Sequence, residues 1–282
     1  MAEEKRNILE TIADCTRERV ADHKERLPLA DCKKTAEDLH EKDGLVLETN
    51  PFYRALLKPG ISFICEIKRA SPSKGLIAPV FPYLDIAREY TEAGADAISV
   101  LTEPRFFQGS DDIFREIRAA VRTPMIRKDF TVDEYMIYEA KTLGADAVLL
   151  IVSLLGKAQL QEYLDIAHSL GLAALVEAHD ETEIQTAVSC GAHILGVNNR
   201  NLKDFTVDIM NSVRLRKQVP ADVLFVSESG MKTRENIETL ESNGVNAVLI
   251  GETLMRSRDK AAEIARLRGT SVHALGKGEG EA

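Results

Sequence analysis

Three features of this 282-residue sequence predict an α/β fold of the (β/α)8 TIM-barrel type with a helical N-terminal extension. First, a phrase repeats: Gly-Ala-Asp-Ala and an apolar run at Gly94 (GADAISVL), again at Gly144 (GADAVLLIV), and more loosely at Gly191 (GAHILGV) and Gly244 (GVNAVLI). Second, eight short apolar runs start about 26 residues apart, the length of a strand, a helix and two short loops. Third, no GxGxxG follows the first run, which counts against an open dinucleotide-binding sheet.

In chain order, residues 1–60 read as the extension, with Ile8, Leu9, Ile12 and Cys15 on one face of a helix running to about His23. A second helix is expected over Asp31–Glu41 and a short third over Pro51–Leu57. The extension is read as a lid over one barrel mouth, the alternative being a plug in the opposite end. The barrel follows over 61–268, with strands at 62–67, 96–101, 123–128, 146–151, 172–177, 193–198, 222–227 and 246–250. These runs are rich in Val, Ile and Leu and continuously apolar, as suits parallel strands covered on both faces. Amphipathic stretches at Tyr83–Ala93, Asp112–Val121, Val132–Leu143, Lys157–Leu170, Glu181–Cys190 and Thr233–Ser242 supply the outer helices. Each repeat glycine is suited to end a helix in the left-handed conformation. The polar, Gly-rich tail 269–282 is expected to be disordered, and the whole chain to form a single domain.

Composition narrows the function. With 45 acidic and 36 basic side chains the formal charge is −9, which argues against a general nucleic-acid binder. The absence of Trp and an aromatic content of 5% argue against base-stacking platforms. Cys15, Cys32, Cys65 and Cys190 lie far apart without a CxxC pair, so reduced thiols and no metal site are expected. No run approaches the length of a membrane helix or a secretory signal, which predicts a cytoplasmic protein without membrane partners.

Barrel active sites sit at the C-terminal ends of the strands. Those ends read CEIKRASPSKG, MIRKDF, LVEAHD, GVNNRNL, VSESG and LIGETLM. Glu66 and Lys68 are two residues apart and share a face, as do Asn198 and Arg200. Lys128 and Glu177 close otherwise apolar strands, a costly placement unless the charges are paired or used. An ion-pair network sealing the barrel end is the structural alternative. Ser229-Gly230 and Gly251-Glu252 follow the seventh and eighth strands, where barrels commonly bind phosphate through backbone N–H groups. Lys68 is placed to help, and Glu252 to contribute its N–H while its carboxylate points to solvent. His179 and His193 have no partner at triad or metal spacing and are read as structural.

Taken together, EIKRASPSKG (Glu66–Gly75), LTEPRFFQGS (Leu101–Ser110), IRKDF (Ile126–Phe130), VEAHD (Val176–Asp180), GVNNRNL (Gly196–Leu202) and VSESG (Val226–Gly230) resemble the indole-3-glycerol phosphate synthase family of tryptophan biosynthesis. The resemblance runs from ILETI to IGETLM. It departs from the family pattern at Cys15-Thr16, where a basic residue is common, and at Glu252, where a small residue is often found.

The resemblance implies a carboxy-lyase that needs no cofactor or metal. It would convert 1-(2-carboxyphenylamino)-1-deoxyribulose 5-phosphate to indole-3-glycerol phosphate, carbon dioxide and water. It casts Lys128 as the general acid of ring closure, its pKa lowered by neighbouring cations, and Lys68 as the acid of dehydration and a partner of substrate carboxylate or phosphate. Glu177 would relay protons, Glu66 would orient Lys128, and Asn198 and Arg200 would bind hydroxyl and carboxylate groups. Ser71, Ser73, Phe107, Phe130, Leu150, Leu202 and Leu249 would line the pocket, with Ser71–Gly75 a closing loop. Ser229, Gly230, Gly251 and Glu252 would hold the phosphate. A monomer or weak homo-oligomer is expected. Rival readings are a phosphoribosylanthranilate isomerase-like barrel, which wants an inward Cys where Cys65 points outward, a Schiff-base aldolase, and an inactive scaffold.

Overall fold

The computed structural model describes residues 7–201 and 205–270. Leu202 and most of the tail expected to be disordered (271–282) lie outside the described residues.

Eight parallel strands close a barrel: β1 (Ser62–Ile67), β2 (Ala97–Leu101), β3 (Met125–Lys128), β4 (Ala147–Ile151), β5 (Ala173–Ala178), β6 (Ile194–Asn198), β7 (Leu224–Glu228) and β8 (Ala247–Ile250). Each strand pairs with its sequence neighbours, and β1 closes on β8 with Ser62 beside Ala247 and Cys65 beside Ile250. All eight predicted strands are present.

Ahead of the barrel come α1 (Ile8–Arg26), α2 (Leu29–Asp43), a 3-10 turn (Leu47–Thr49) and α3 (Pro51–Leu56). Outside the barrel lie α4 (Tyr83–Glu92), α5 (Asp111–Ala120), α6 (Tyr135–Thr142), α7 (Val152–Ser169), α8 (Glu181–Ser189), α9 (Met210–Arg216), α10 (Arg234–Ser242), α11 (Glu252–Arg256) and α12 (Lys260–Arg268). The repeat glycines 94, 144, 191 and 244 all have φ between 75° and 80°, the left-handed turn that ends a helix before the next strand. Helix starts are fixed by side-chain caps: Ser110 accepts from Ile113 N–H, Asp180 from Glu183 N–H and Asp259 from Ala262 N–H.

Strand side chains alternate between two apolar layers. Ile64, Ile126, Leu149, Leu175, Ile194, Val226 and Leu249 fill the barrel interior, while Phe63, Cys65, Val148, Leu150 and Phe225 pack beneath the helices. The extension contacts both barrel ends. Phe52 and Leu56 of α3 join the interior cluster from below, each fully buried, a stabilisation of about 1.5–3 kcal/mol per side chain. Asn50 fixes that corner by donating to the carbonyls of Asp146 and Gly171, just ahead of β4 and β5. At the other end Ile8, Leu9 and Ile12 of α1 face the strand C-termini.

Candidate active site

A cavity of about 530 Å³ opens at the C-terminal ends of the strands. Its walls include Glu66, Lys68, Ser71, Ser73, Phe107, Lys128, Phe130, Glu177, Asn198, Arg200, Ser229, Gly230, Leu249, Gly251 and Glu252, so these expected residues come together at one mouth. Leu150 is corrected: it is fully buried in the outer layer beneath the helices, and its neighbours Leu149 and Ile151 line the cavity instead. The period-two alternation of β4 forbids all three from facing inward.

Charges of both signs meet on the cavity floor. Lys128 Nζ lies 3.2 Å from Glu177 Oε2 and 3.3 Å from Glu228 Oε2. A lowered Lys128 pKa is also corrected. Burial alone would lower it, but the carboxylates of Glu228, Glu177 and Glu66 outweigh burial and hold it well above the ordinary lysine value. Glu66 is therefore part of the field on Lys128, yet its ion-pair partner is Lys68, at 2.6 Å, rather than Lys128. Gly251 makes this pair possible: a Cβ there would lie 2.2 Å from Glu66 Oε1 and 2.9 Å from Lys68 Nζ.

Glu177 stays ionised. Burial opposes this, but Lys128, His179 and Asn198 drive its pKa far below the carboxylate range. Asn198 Nδ2 donates to Glu177 Oε1 at 3.3 Å, and Asn198 Oδ1 accepts the Arg200 N–H. His179 Nε2 lies 3.4 Å from Glu177 and Nδ1 3.1 Å from Glu183. Although burial disfavours a charged ring, the two glutamates raise its pKa to about 10, so the ring, hydrogen-bonded to Glu183, sets a positive charge beside Glu177 near neutrality, while Nε2 itself makes no hydrogen bond among the described residues. Sequence spacing hid this partner because Glu183 reaches back from the first turn of α8.

Glu228 is an acid of the cavity floor that reading the sequence missed. Burial and the nearby Glu177 and Glu66 push its pKa up to about 7 despite Lys128. The available signal was that VSESG places a third acid at a strand end, at the same register as Asn198 on β6. Gly196 leaves the room it needs, since a Cβ there would sit 2.4 Å from Glu228 Oε1.

The apolar wall is set by the loop after β2. Buried Glu103 accepts N–H bonds from Arg105, Phe106 and Phe107, and Gly109 lets the chain pass Leu101 where any Cβ would strike its carbonyl. Phe107 is thereby set against Phe130, ring centroids 6.0 Å apart. Behind Lys128, both oxygens of the Asp129 carboxylate accept from one nitrogen, Nη2 of Arg19 on α1, at 2.9 and 2.8 Å. Among the described residues, His23, Asp111 and Glu139 approach closely enough to share an ion, but Arg127 Nη2 already bridges Asp111 and Glu139 at 2.8 and 2.7 Å.

A relative from Ruminiclostridium cellulolyticum, an indole-3-glycerol phosphate synthase, is 53% identical over 94% of this chain and 100% of its own length. One of the same name from Lachnoclostridium phytofermentans is 49% identical over 93% and 98%. Solved barrels at low identity share the fold. A thiamine phosphate pyrophosphorylase from Pyrococcus furiosus superimposes with a TM-score of 0.57 at 18% identity, covering 77% of this chain and 98% of that one. The profile of one family matches residues 9–267. The chain belongs to the indole-3-glycerol phosphate synthase family.

Proposed function

We infer that this chain closes the indole ring of 1-(2-carboxyphenylamino)-1-deoxyribulose 5-phosphate, releasing indole-3-glycerol phosphate, carbon dioxide and water as a carboxy-lyase of tryptophan biosynthesis. The observation that carries the reading is one buried ammonium, Lys128, held between Glu177 and Glu228 on the floor of a cavity with an aromatic wall.

The substrate ring lies against Phe107 and Phe130, and its carboxylate faces Lys68 or Arg200. Ser71, Ser73 and Leu249 complete the pocket. The phosphate sits at Ser229, Gly230, Gly251 and the Glu252 N–H. When the ring carbon attacks the ketone, a developing alkoxide takes a proton from Lys128. A lysine of raised pKa is fully protonated near neutrality, and an alkoxide is basic enough to draw its proton. Carbon dioxide then leaves and aromaticity returns. Loss of the hydroxyl as water follows, with Lys68 as acid and ionised Glu177 accepting a proton from the methylene carbon between the ring nitrogen and the carbinol carbon, so that the indole keeps its N–H. The same protonation of Lys128 disfavours an aldolase mechanism there, which needs a neutral amine.

The α1 face at the cavity acts as the lid, and the Ser71–Gly75 loop closes over the substrate. No described helix is long and apolar enough to cross a membrane, and we place the enzyme in the cytoplasm, acting without nucleic acid. Mixing the purified chain with the carboxyphenylamino ribulose phosphate should generate indole fluorescence. A folded chain that yields none at micromolar concentration overturns the reading.

A further inference from the structure

Glu252 stands in the cavity wall beside the proposed phosphate position, and its carboxylate does not point to open solvent. Its Oε1 lies 3.1 Å from Arg256 Nε and 3.8 Å from Lys74 Nζ, while Oε2 lies 3.8 Å from Arg200 Nη2. Three segments thus direct cations at one anionic side chain: the loop after β1, the end of β6 and α11. Elsewhere in the cavity Lys68 is matched by Glu66, and Lys128 by Glu177 and Glu228. Of the cations that a phosphate at the ends of β7 and β8 would draw on, Lys74, Arg200 and Arg256 already face Glu252, while Lys232, after β7, lines the cavity without an ion pair to Glu252.

We propose that the Glu252 carboxylate is an internal competitor of the substrate phosphate, occupying Lys74 and Arg200 in the empty site and giving them up when the dianion arrives. The proposal rests on the phosphate placement given above. The side chain is 28% exposed, so it has room to turn, and Arg256, one helical turn on, already holds Oε1 at 3.1 Å and keeps it when Lys74 and Arg200 are given up. Two consequences follow. Phosphorylated ligands bind more weakly than the cation set alone allows, and the phosphorylated product leaves faster because the carboxylate competes for its cations. Lys74 also ties the loop after β1 to α11 while the site is empty.

Inorganic phosphate is the direct probe, titrated by calorimetry at pH 8 and constant ionic strength into the wild-type chain, Glu252→Gln, and Glu238→Gln. Glu238 is a carboxylate on an outer helix paired with Arg234, and it controls for the change in net charge. Removing one negative charge a few ångströms from a dianion in a half-exposed site is expected to tighten phosphate binding about tenfold. The control should change by less than about twofold. KM for the carboxyphenylamino ribulose phosphate should fall in Glu252→Gln while kcat does not rise. Equal or weaker phosphate binding by Glu252→Gln overturns the competition, as does equal tightening in both variants. Wild-type turnover is measured separately. Turnover with unchanged phosphate affinity sinks the competition alone, and no turnover sinks the assigned reaction whatever phosphate does.

Discussion

Lys128 and Glu228 face each other across the full width of the barrel, Nζ to Oε2 3.3 Å, from strands β3 and β7 that stand four places apart in the closed sheet. Only an inward residue at the top of each strand can make this contact. The pair sits beside a second carboxylate, Glu177, which is fully ionised and has its own claim on the ammonium. One lysine cannot neutralise both glutamates, so the third charge is the one that yields. Glu228 is that group, and its Oε1 has no hydrogen-bond partner among the described residues.

Glu228→Gln should therefore change the pH dependence of both stability and rate. The folded-state pKa, about 7, is raised above the ordinary value of 4.5, so the folded chain holds a proton that the unfolded chain has lost between those values. Stability associated with this group is present below about pH 4.5 and is lost as pH rises through about 7. Urea unfolding between pH 5 and 8 should show a shallower decline in the variant. Ionisation of Glu228 also makes Lys128 a weaker acid, so wild-type kcat/KM should fall through about pH 7, and this limb should vanish in Glu228→Gln. A limb that survives assigns it to another group.

The barrel was legible because its signals are local and repeated. Gly-Ala-Asp-Ala marks a helix end and a buried strand, and its two copies with two looser versions at near-regular spacing leave little choice of topology. The inward set Glu66, Lys68, Lys128, Glu177 and Asn198 followed from strand ends and period two. What was not legible is which charge answers which. Glu66 pairs with Lys68 on its own strand, His179 with Glu183 one turn into α8, and Lys128 with a residue 100 positions away. Phase also failed at Leu150: in AVLLI every residue is apolar and buried, so composition could not say which alternate set faces inward.

Replacing Lys128 by Ala tests the acid. If it protonates the developing alkoxide, kcat should fall by about 10²–10⁴ while KM moves little, because a group acting in the transition state contributes weakly to ground-state binding. Steady-state indole fluorescence gives both constants. A KM increase with kcat intact would make Lys128 a binding residue only.

Arg19→Ala addresses the connection between α1 and the site. Asp129 follows Lys128 directly, is 1% exposed, and takes a two-bond contact from Arg19. Burial opposes its ionisation, but Arg19 and Arg127 hold its pKa below the ordinary value. Its stability contribution is thus present above about pH 4 and lost as acid protonates it. Removing Arg19 leaves a buried carboxylate short of a partner, with an expected loss of about 3 kcal/mol at neutral pH. Arg19→Lys should recover part of it, since one ammonium can meet both carboxylate oxygens as Nη2 does but cannot also donate to the Thr102 carbonyl, which Nη1 reaches at 3.5 Å. Chemical denaturation at pH 7 and pH 3 measures the difference, which should shrink at the lower pH.

Gly251→Ala probes the Glu66–Lys68 pair by geometry alone, without touching either charge. The backbone at Gly251 has φ −114°, a conformation alanine tolerates, so no backbone strain is introduced. The added methyl instead meets Glu66 Oε1 at 2.2 Å and Lys68 Nζ at 2.9 Å, and the pair must move aside. Both side chains are largely buried, so the displacement is directed into the cavity rather than into solvent. A shift of about 1 Å in groups that position or protonate the substrate costs roughly 10²-fold in kcat/KM. The fold should hold, because β8 keeps its register with β1 and β7 through residues 247–250. Circular dichroism melting and steady-state kinetics on the same preparation separate the two effects. A variant with wild-type kcat/KM would mean that the position of the Glu66–Lys68 pair does not matter to the reaction.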